Sequence, residues 1–276
     1  MRSLCHALDL DSEARRGTEL LADLFAPWGA TRVPPQPAYA TFVSDDHSPY
    51  ELSVALSSQG PELRLLFEAQ APSPSLHANH EAALALTDRL AAHHGADLAR
   101  FEAVRDLFCS PAPRPPFSIW HAVTLRPGQP PAFKIYLNPQ ANGPGYTRRT
   151  VAEALRRLGL ADASQVLLDN LDSHGRGLDQ FNYFSLDLSH DATARIKVYS
   201  VHPGATADDI ERTFAIAPGH RPGDVREFCA LLTGTTGPFT RKPLTSCLSF
   251  VGGAAPSGAT VHLPVGHYVA DGQVHG

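Results

Sequence analysis

The chain has 276 residues, of which 43% are hydrophobic and 18% charged, and 23 basic against 28 acidic side chains give a net charge of −5. This length holds one large domain or two small ones, with enough apolar residues for a full core. The negative balance excludes a generally basic surface of the kind that binds nucleic acid or an anionic membrane. An anion site therefore needs a local concentration of Lys and Arg.

The cysteines and the amino-terminal sequence bear on the cellular compartment. Four cysteines lie far apart in the sequence: Cys5, Cys109, Cys229 and Cys247. Scattered thiols without a CxxC pair are typical of reduced proteins rather than of a disulfide scaffold. No apolar signal core follows Met1, and no uninterrupted apolar stretch reaches about 18 residues. We therefore expect a cytoplasmic protein.

The predicted elements repeat along the chain as helix, helix, strand, strand. One helix, over residues 11–25, precedes a first pair of strands at 50–56 and 62–67. The later helices have helical periodicity and are predicted over 76–93, 96–108, 147–158, 161–171, 206–216 and 222–232. The later strands are predicted over 117–125, 132–137, 183–188, 194–199, 244–251 and 259–264. Short, turn-rich connections join the two strands of each pair, which indicates hairpins and an antiparallel sheet.

The second strand of each hairpin carries a sequence repeat. The equivalent positions are Arg64, Lys134, Lys197 and Thr260, which are 70, 63 and 63 residues apart. A nearly constant period indicates duplicated supersecondary units. The hairpins lie near residues 50–69, 117–138, 183–201 and 244–265. No linker or change of composition divides the chain, so we predict a single domain over residues 1–276.

Each of these second strands has one aliphatic face and one polar face. The aliphatic face suits packing against the helix pairs. The polar face selects cations and tyrosines, namely Arg64, Lys134, Tyr136, Arg195, Lys197 and Tyr199, followed by Thr260 and His262. An open sheet with an ordinary solvated face is one interpretation, but such a face in an acidic protein should also include carboxylates. A barrel wrapped by helices would enclose the cations, and a bound polyanion such as diphosphate would balance them.

Several segments resemble motifs of the dimethylallyltryptophan synthases. Residues 44–53, Ser-Asp-Asp-His-Ser-Pro-Tyr-Glu-Leu-Ser, resemble the signature before the first barrel strand of that family. Three further segments resemble later strand motifs in the correct order: 133–136, 195–199 and 261–268. The resemblance covers most of the chain. It implies an α/β fold in which an antiparallel β-barrel is wrapped by an outer ring of helices, the PT-barrel built from αα-ββ units. The family barrel has five such units, and this sequence has four.

The resemblance also implies an activity, which is transfer of a prenyl group, typically dimethylallyl, from its diphosphate to an indole or similar electron-rich ring. Cations would stabilise the diphosphate as it leaves, and the family pattern assigns this role to Arg64, Lys134, Arg195 and Lys197. Tyrosine faces would shield the allylic cation from water, a role that falls to Tyr136 and Tyr199. His262 replaces a tyrosine expected in the fourth motif, and a protonated imidazole there would help to bind diphosphate.

The acceptor side of the reaction needs other residues. Glu51 resembles the family carboxylate that accepts a hydrogen bond from the indole N–H. His121, on the strand before Lys134, is a candidate base for the ring proton, with a packed or exposed structural histidine as the alternative. Arg176, in the loop before the third hairpin, is a candidate partner for an acceptor carboxylate.

We expect no cofactor, because the resemblance implies a metal-independent reaction. His77 and His80 have helical i, i+3 spacing, but they form neither an HExxH nor an HxxEH motif. Asp45 and Asp46 do not form the DDxxD array by which other prenyl enzymes bind magnesium diphosphate. The expected partners are a prenyl diphosphate and an aromatic acceptor, without nucleic acid or membrane, and the sequence is compatible with a homodimer. Two alternatives are a non-catalytic protein that binds a phosphorylated ligand and, ranked last, a phosphate-ester hydrolase that uses the histidines.

Overall fold

The computed structural model describes residues 2–32, 37, 39–58, 60–173, 177 and 179–270. The chain divides into two units. The first comprises Met1–Ala141 and Leu186–Asp191, and the second comprises Asn142–Ser185 and Ala192–Gly276. The single domain over residues 1–276 stays a prediction.

The helices follow the predicted order, with one addition at the amino terminus. The helices of the first unit are α1 (Arg2–Ala7), α2 (Asp11–Leu24), α3 (Leu76–His94) and α4 (Ala99–Phe108). Those of the second unit are α5 (Thr147–Arg157), α6 (Ala161–Ser173), α7 (Ala207–Phe214) and α8 (Asp224–Thr233). None of the helices in the described part of the chain is long and apolar enough to cross a membrane.

Local capping sets where these helices begin and end. The Ser75 hydroxyl accepts a hydrogen bond from the N–H of Ala78 at the start of α3. Gly95, with φ of 72°, ends this helix in the left-handed conformation that glycine adopts without steric cost. Thr206 and Asp209 form a reciprocal capping box at the start of α7. Helix α4 begins at Ala99, three residues after its predicted start, and the Asp97 carboxylate accepts a hydrogen bond from the N–H of Ala99 at 2.9 Å.

Four hairpins supply the eight strands. The first hairpin comprises β1 (Tyr50–Ser57) and β2 (Gly60–Phe67), and the second comprises β3 (Ile119–Leu125) and β4 (Ala132–Leu137). The third comprises β5 (Gln180–Asp187) and β6 (Ile196–His202), and the fourth comprises β7 (Leu244–Phe250) and β8 (Gly258–His262). The strands form one sheet in sequence order, with β1 and β8 outermost. An antiparallel sheet with helix pairs between its hairpins confirms the predicted fold class.

Alternation along β2 separates the two faces of the sheet in the first unit. Leu63 and Leu65 are 1% and 3% exposed, and they line a small space together with Leu20 and Leu21 of α2. Arg64, between them in sequence, points to the other face. On the outermost strand β1, Leu56 remains 80% exposed. The aliphatic face therefore packs on helices, as predicted, and the cation lies on the opposite face.

Candidate active site

The signature before β1 forms a turn that positions Glu51. The Asp46 carboxylate accepts a hydrogen bond from the N–H of Ser48 at 2.8 Å. His47 has φ of 63°, and its Nδ1 lies 2.9 Å from the carbonyl oxygen of Thr41. The Thr41 hydroxyl donates to the carbonyl of Ser48 at 2.7 Å. Most of this motif thus shapes the backbone, and it leaves Glu51 as the second residue of β1.

Strand register brings four predicted site residues to one face of the sheet in the first unit. Glu51 pairs with Leu66 on β2, Leu66 pairs with Ala122 on β3, and Ala122 pairs with Lys134 on β4. Directly paired residues point to the same face. Arg64 lies two residues from Leu66 and so shares that face. Tyr136 lies two residues beyond Lys134, on the same face and opposite Trp120.

The two cations on this face have acidic partners that the sequence analysis missed. The guanidinium of Arg64 donates to Glu62 Oε2 from Nε at 3.0 Å and from Nη2 at 2.6 Å. The other oxygen of Glu62 accepts from Nε of Arg126 at 2.5 Å. The ammonium of Lys134 lies 3.0 Å from Oδ1 of Asp187, and both side chains are largely buried. Strand alternation places Glu62 beside Arg64, so the sequence could have revealed this ion pair. The ion pair of Lys134 with Asp187 depends on contact between distant segments of the chain.

The second unit brings together aromatic rings and a lysine. The ring of Tyr199 makes an edge contact with Tyr183 at 5.8 Å and lies 5.7 Å from the ring of His262. Lys197 lies two residues before Tyr199 on β6 and pairs with Ser249. Tyr199 pairs with Cys247, which pairs in turn with Thr260 on β8. Register and ring contacts thus place Lys197, Tyr199 and His262 on one face.

The ionisation of His262 bears on its predicted role in diphosphate binding. His262 as a residue is exposed on β8, but desolvation of its imidazole by surrounding protein atoms, together with the charge of Lys197, lowers its pKa to about 4. The imidazole is therefore neutral near pH 7 and can present its ring to a cation. This gives no support to a charged role in diphosphate binding. Arg195 is half-buried and immediately precedes β6.

His121 lies on the helix-facing side, away from Glu51 and Lys134. It pairs with Phe67 and Ile135 on the neighbouring strands and is fully buried. The hydroxyl of Thr87 on α3 donates to the carbonyl of Ala83. The same hydroxyl lies 2.9 Å from Nε2 of His121, so Nε2 is the donor of that hydrogen bond. Burial lowers the pKa of His121 to about 3. This placement does not support His121 as the base for the ring proton and favours the structural alternative.

Two further histidines, His80 and His202, are also packed in the interior. His80 is buried, and its Nδ1 lies 2.5 Å from the hydroxyl of Ser118. His202 Nε2 lies 2.7 Å from the hydroxyl of Ser246, and its Nδ1 lies 3.0 Å from Asp179. This resembles a nucleophilic triad, but its members have almost no exposure to solvent. No group of three metal-ligating side chains occurs within the described ranges, and Arg176 lies outside those ranges.

A sheet with cations and tyrosines on one face and helix pairs between its hairpins is the architecture expected of an aromatic prenyltransferase. The family described as tryptophan dimethylallyltransferase matches residues 19–233. This match covers more than half of the chain. The chain belongs to the tryptophan dimethylallyltransferase family, and it is a prenyltransferase.

Solved structures of related enzymes agree with this assignment. The chain is 33% identical to 6-dimethylallyltryptophan synthase from Micromonospora olivasterospora, determined in complex with DMASPP and Trp. That match has a TM-score of 0.89 and covers 98% of this chain and 77% of the other. The chain is also 33% identical to 5-dimethylallyl tryptophan synthase from Streptomyces coelicolor, with a TM-score of 0.83 and coverage of 95% and 73%. AnaPT from Neosartorya fischeri, at 16% identity and a TM-score of 0.75, shares the fold.

Proposed function

We propose that this chain transfers a dimethylallyl group from its diphosphate to the indole ring of tryptophan or of a tryptophan-derived acceptor. The observation that carries the proposal is the common face of Glu51, Arg64 and Lys134, within a fold that matches complexes containing DMASPP and Trp. The proposal includes independence of metal ions and a cytoplasmic location.

The reaction begins with cleavage of the allylic C–O bond. Arg64 and Lys134 in the first unit, and Arg195 and Lys197 in the second, stabilise the negative charge that develops on the diphosphate. Arginine offers paired donors to phosphate oxygens, whereas lysine acts as a point charge. These cations replace the charge that a metal ion supplies in other prenyl enzymes.

The allylic cation then needs protection from water until the ring attacks it. Tyr136, Tyr199 and the neutral ring of His262 offer electron-rich faces that stabilise a cation. Glu51 accepts the indole N–H hydrogen bond, which orients the ring and raises its electron density. The new C–C bond forms from the ring π electrons, and loss of the ring proton restores aromaticity.

Turnover of tryptophan and dimethylallyl diphosphate in EDTA tests the proposal, with the product identified by mass spectrometry. An alkylated indole is the expected result. Binding of both substrates without product would instead indicate a non-catalytic binding protein. Metal-dependent release of phosphate would indicate a hydrolase, and either outcome would refute the proposed transfer.

Replacement of Glu51 by Gln tests the acceptor site. Because glutamine carries no negative charge, we expect kcat/KM for tryptophan to fall by about 100-fold. A tryptophan methylated at the indole nitrogen cannot donate the hydrogen bond, so wild type and Glu51→Gln should turn it over at similar low rates. Equal turnover of unmethylated tryptophan by the two proteins would refute this role, and Glu81→Gln on the exposed side of α3 is the control.

A further inference from the structure

Glu62 joins two arginines at one end of the polar face in the first unit. Its side chain is 16% exposed, against 45% for Arg64 and 27% for Arg126. Arg64 lies two residues away on the same strand, so both point to the same face. Arg126 follows Leu125, which pairs with Leu63, and this register brings it beside Glu62. One carboxylate thus separates two guanidinium groups that would otherwise repel each other.

The carboxylate of Glu62 is ionised in this arrangement. Burial opposes the charged form, but hydrogen bonds and charge from Arg126 and Arg64 outweigh it and hold the pKa of Glu62 below its usual value. Two cations and one anion leave the cluster with a net charge of +1. It therefore remains attractive to an anion while each guanidinium is held in place.

We infer that Glu62 is a positioning residue for Arg64, and that Arg126 is a further cation of the diphosphate site. This inference rests on the proposed function. Arg64 commits Nε and Nη2 to Glu62, and Arg126 commits Nε. A guanidinium has five N–H donors, and the described residues offer no acceptor to Nη1 of Arg64 or to either terminal nitrogen of Arg126. Those donors are held ready for phosphate oxygens.

Holding a guanidinium before the ligand arrives has an energetic consequence. A long, half-exposed arginine otherwise loses rotamer freedom when it binds, and that loss weakens binding. Glu62 imposes that restriction in the ligand-free protein, so diphosphate meets an oriented donor. The negative charge of Glu62 also repels diphosphate. Positioning therefore predicts that removal of the charge weakens catalysis, whereas simple competition predicts that it strengthens anion binding.

A comparable cluster elsewhere in the chain provides a matched control. On α5, Glu153 accepts hydrogen bonds from Arg156 at 2.7 Å and from Arg157 at 2.8 Å. It has the same composition as the Glu62 cluster, one carboxylate and two arginines, but it lies on a helix and not on the polar face of the sheet. Exposed pairs of this kind contribute little to stability. Glu153→Gln should therefore leave both activity and diphosphate binding unchanged.

The experiment compares wild type, Glu62→Gln, Arg64→Ala, the double variant of those two, Arg126→Ala and Glu153→Gln. Calorimetry gives the affinity for inorganic diphosphate, and kinetics give kcat and KM for dimethylallyl diphosphate. We expect Glu62→Gln to lower kcat/KM for dimethylallyl diphosphate by about 10-fold, equivalent to about 1.4 kcal/mol. KM for tryptophan should not change. If Glu62 acts through Arg64, the double variant should be no worse than Arg64→Ala within about twofold.

Other outcomes would overturn the inference. Undiminished kcat with tighter diphosphate binding in Glu62→Gln would show that Glu62 only competes with the ligand. Additive losses in the double variant would show that Glu62 does not act through Arg64. If Glu62→Gln fails to fold, Arg126→Ala decides, since unchanged diphosphate affinity there would remove Arg126 from the site. Wild type that binds no diphosphate would refute the proposed function itself.

Discussion

The ion pair between Lys134 and Asp187 allows a worked prediction. Its atoms are 3.0 Å apart, and the two side chains are 13% and 15% exposed. At an effective dielectric constant of about 20, the attraction at that distance is about 5.5 kcal/mol. Desolvation of both ions offsets part of it, and removing one partner of such a pair typically costs about 3–5 kcal/mol. We therefore expect Asp187→Asn to lower the free energy of unfolding by about 3 kcal/mol.

Diphosphate should compensate for part of this loss. If Lys134 binds the leaving group, a bound diphosphate supplies negative charge in place of the Asp187 carboxylate. Saturating inorganic diphosphate should then stabilise Asp187→Asn more than it stabilises wild type, because ligand affinity adds to folding stability. Thermal unfolding with and without diphosphate measures the difference.

The control is Lys134→Met/Asp187→Asn, which removes both charges. It should regain much of the stability, and diphosphate should stabilise it less than it stabilises the single variant. An equal diphosphate-induced shift in wild type and Asp187→Asn would refute the role of Lys134 at the anion site. A stability loss well under 1 kcal/mol would refute the energetic argument.

Two predictions concern the remaining ring residues. The pKa of His121 is about 3 in the folded protein and 6.5 in an unfolded chain. Between these values the imidazole of the unfolded chain binds a proton and that of the folded protein does not, so the free energy of unfolding falls as the pH drops. Between pH 7 and pH 5 this difference lowers the free energy of unfolding by about 2 kcal/mol. Urea unfolding of His121→Gln should therefore show a fall in stability over this pH range that is smaller than that of wild type by about the same amount. An identical pH dependence in the two proteins would contradict the burial of a neutral His121. Tyr199→Leu should release more dimethylallyl alcohol relative to alkylated acceptor than Tyr199→Phe does, because leucine has no π face. Equal ratios of dimethylallyl alcohol to alkylated acceptor in the two variants, measured by chromatography, would refute the shielding role of Tyr199.

Sequence patterns predicted the helix–helix–hairpin order because the hydrophobic periods are long and regular. They also assigned the faces of β2 and β4, where large aliphatic residues alternate with Arg64 or with Lys134 and Tyr136. β3 is different, because all seven of its residues are buried. Because both faces of β3 are buried, its sequence shows no alternation that would tell the face of Trp120 from the face of His121. Only the register of β3 with β2 and β4 shows which face each residue occupies.

The acidic partners could be predicted to different extents. Glu62 and Arg64 are two residues apart on one strand, so alternation alone places them together. Asp187 lies 53 positions after Lys134 in the sequence, and their contact depends on tertiary pairing that local patterns do not encode. The motif around Asp46 and His47 was informative as a signature, although its side chains act mainly on the turn that precedes Glu51.

Strand β1 is outermost in the sheet, and Glu51 lies on it. The strength of a charge-assisted hydrogen bond depends on the local dielectric, and it weakens as water gains access. In the proposed reaction, the strength with which Glu51 polarises the indole therefore depends on how well this strand is shielded from water. Under that proposal the edge of the sheet is a dielectric boundary for the acceptor, and activation of the ring depends on how completely solvent is excluded there.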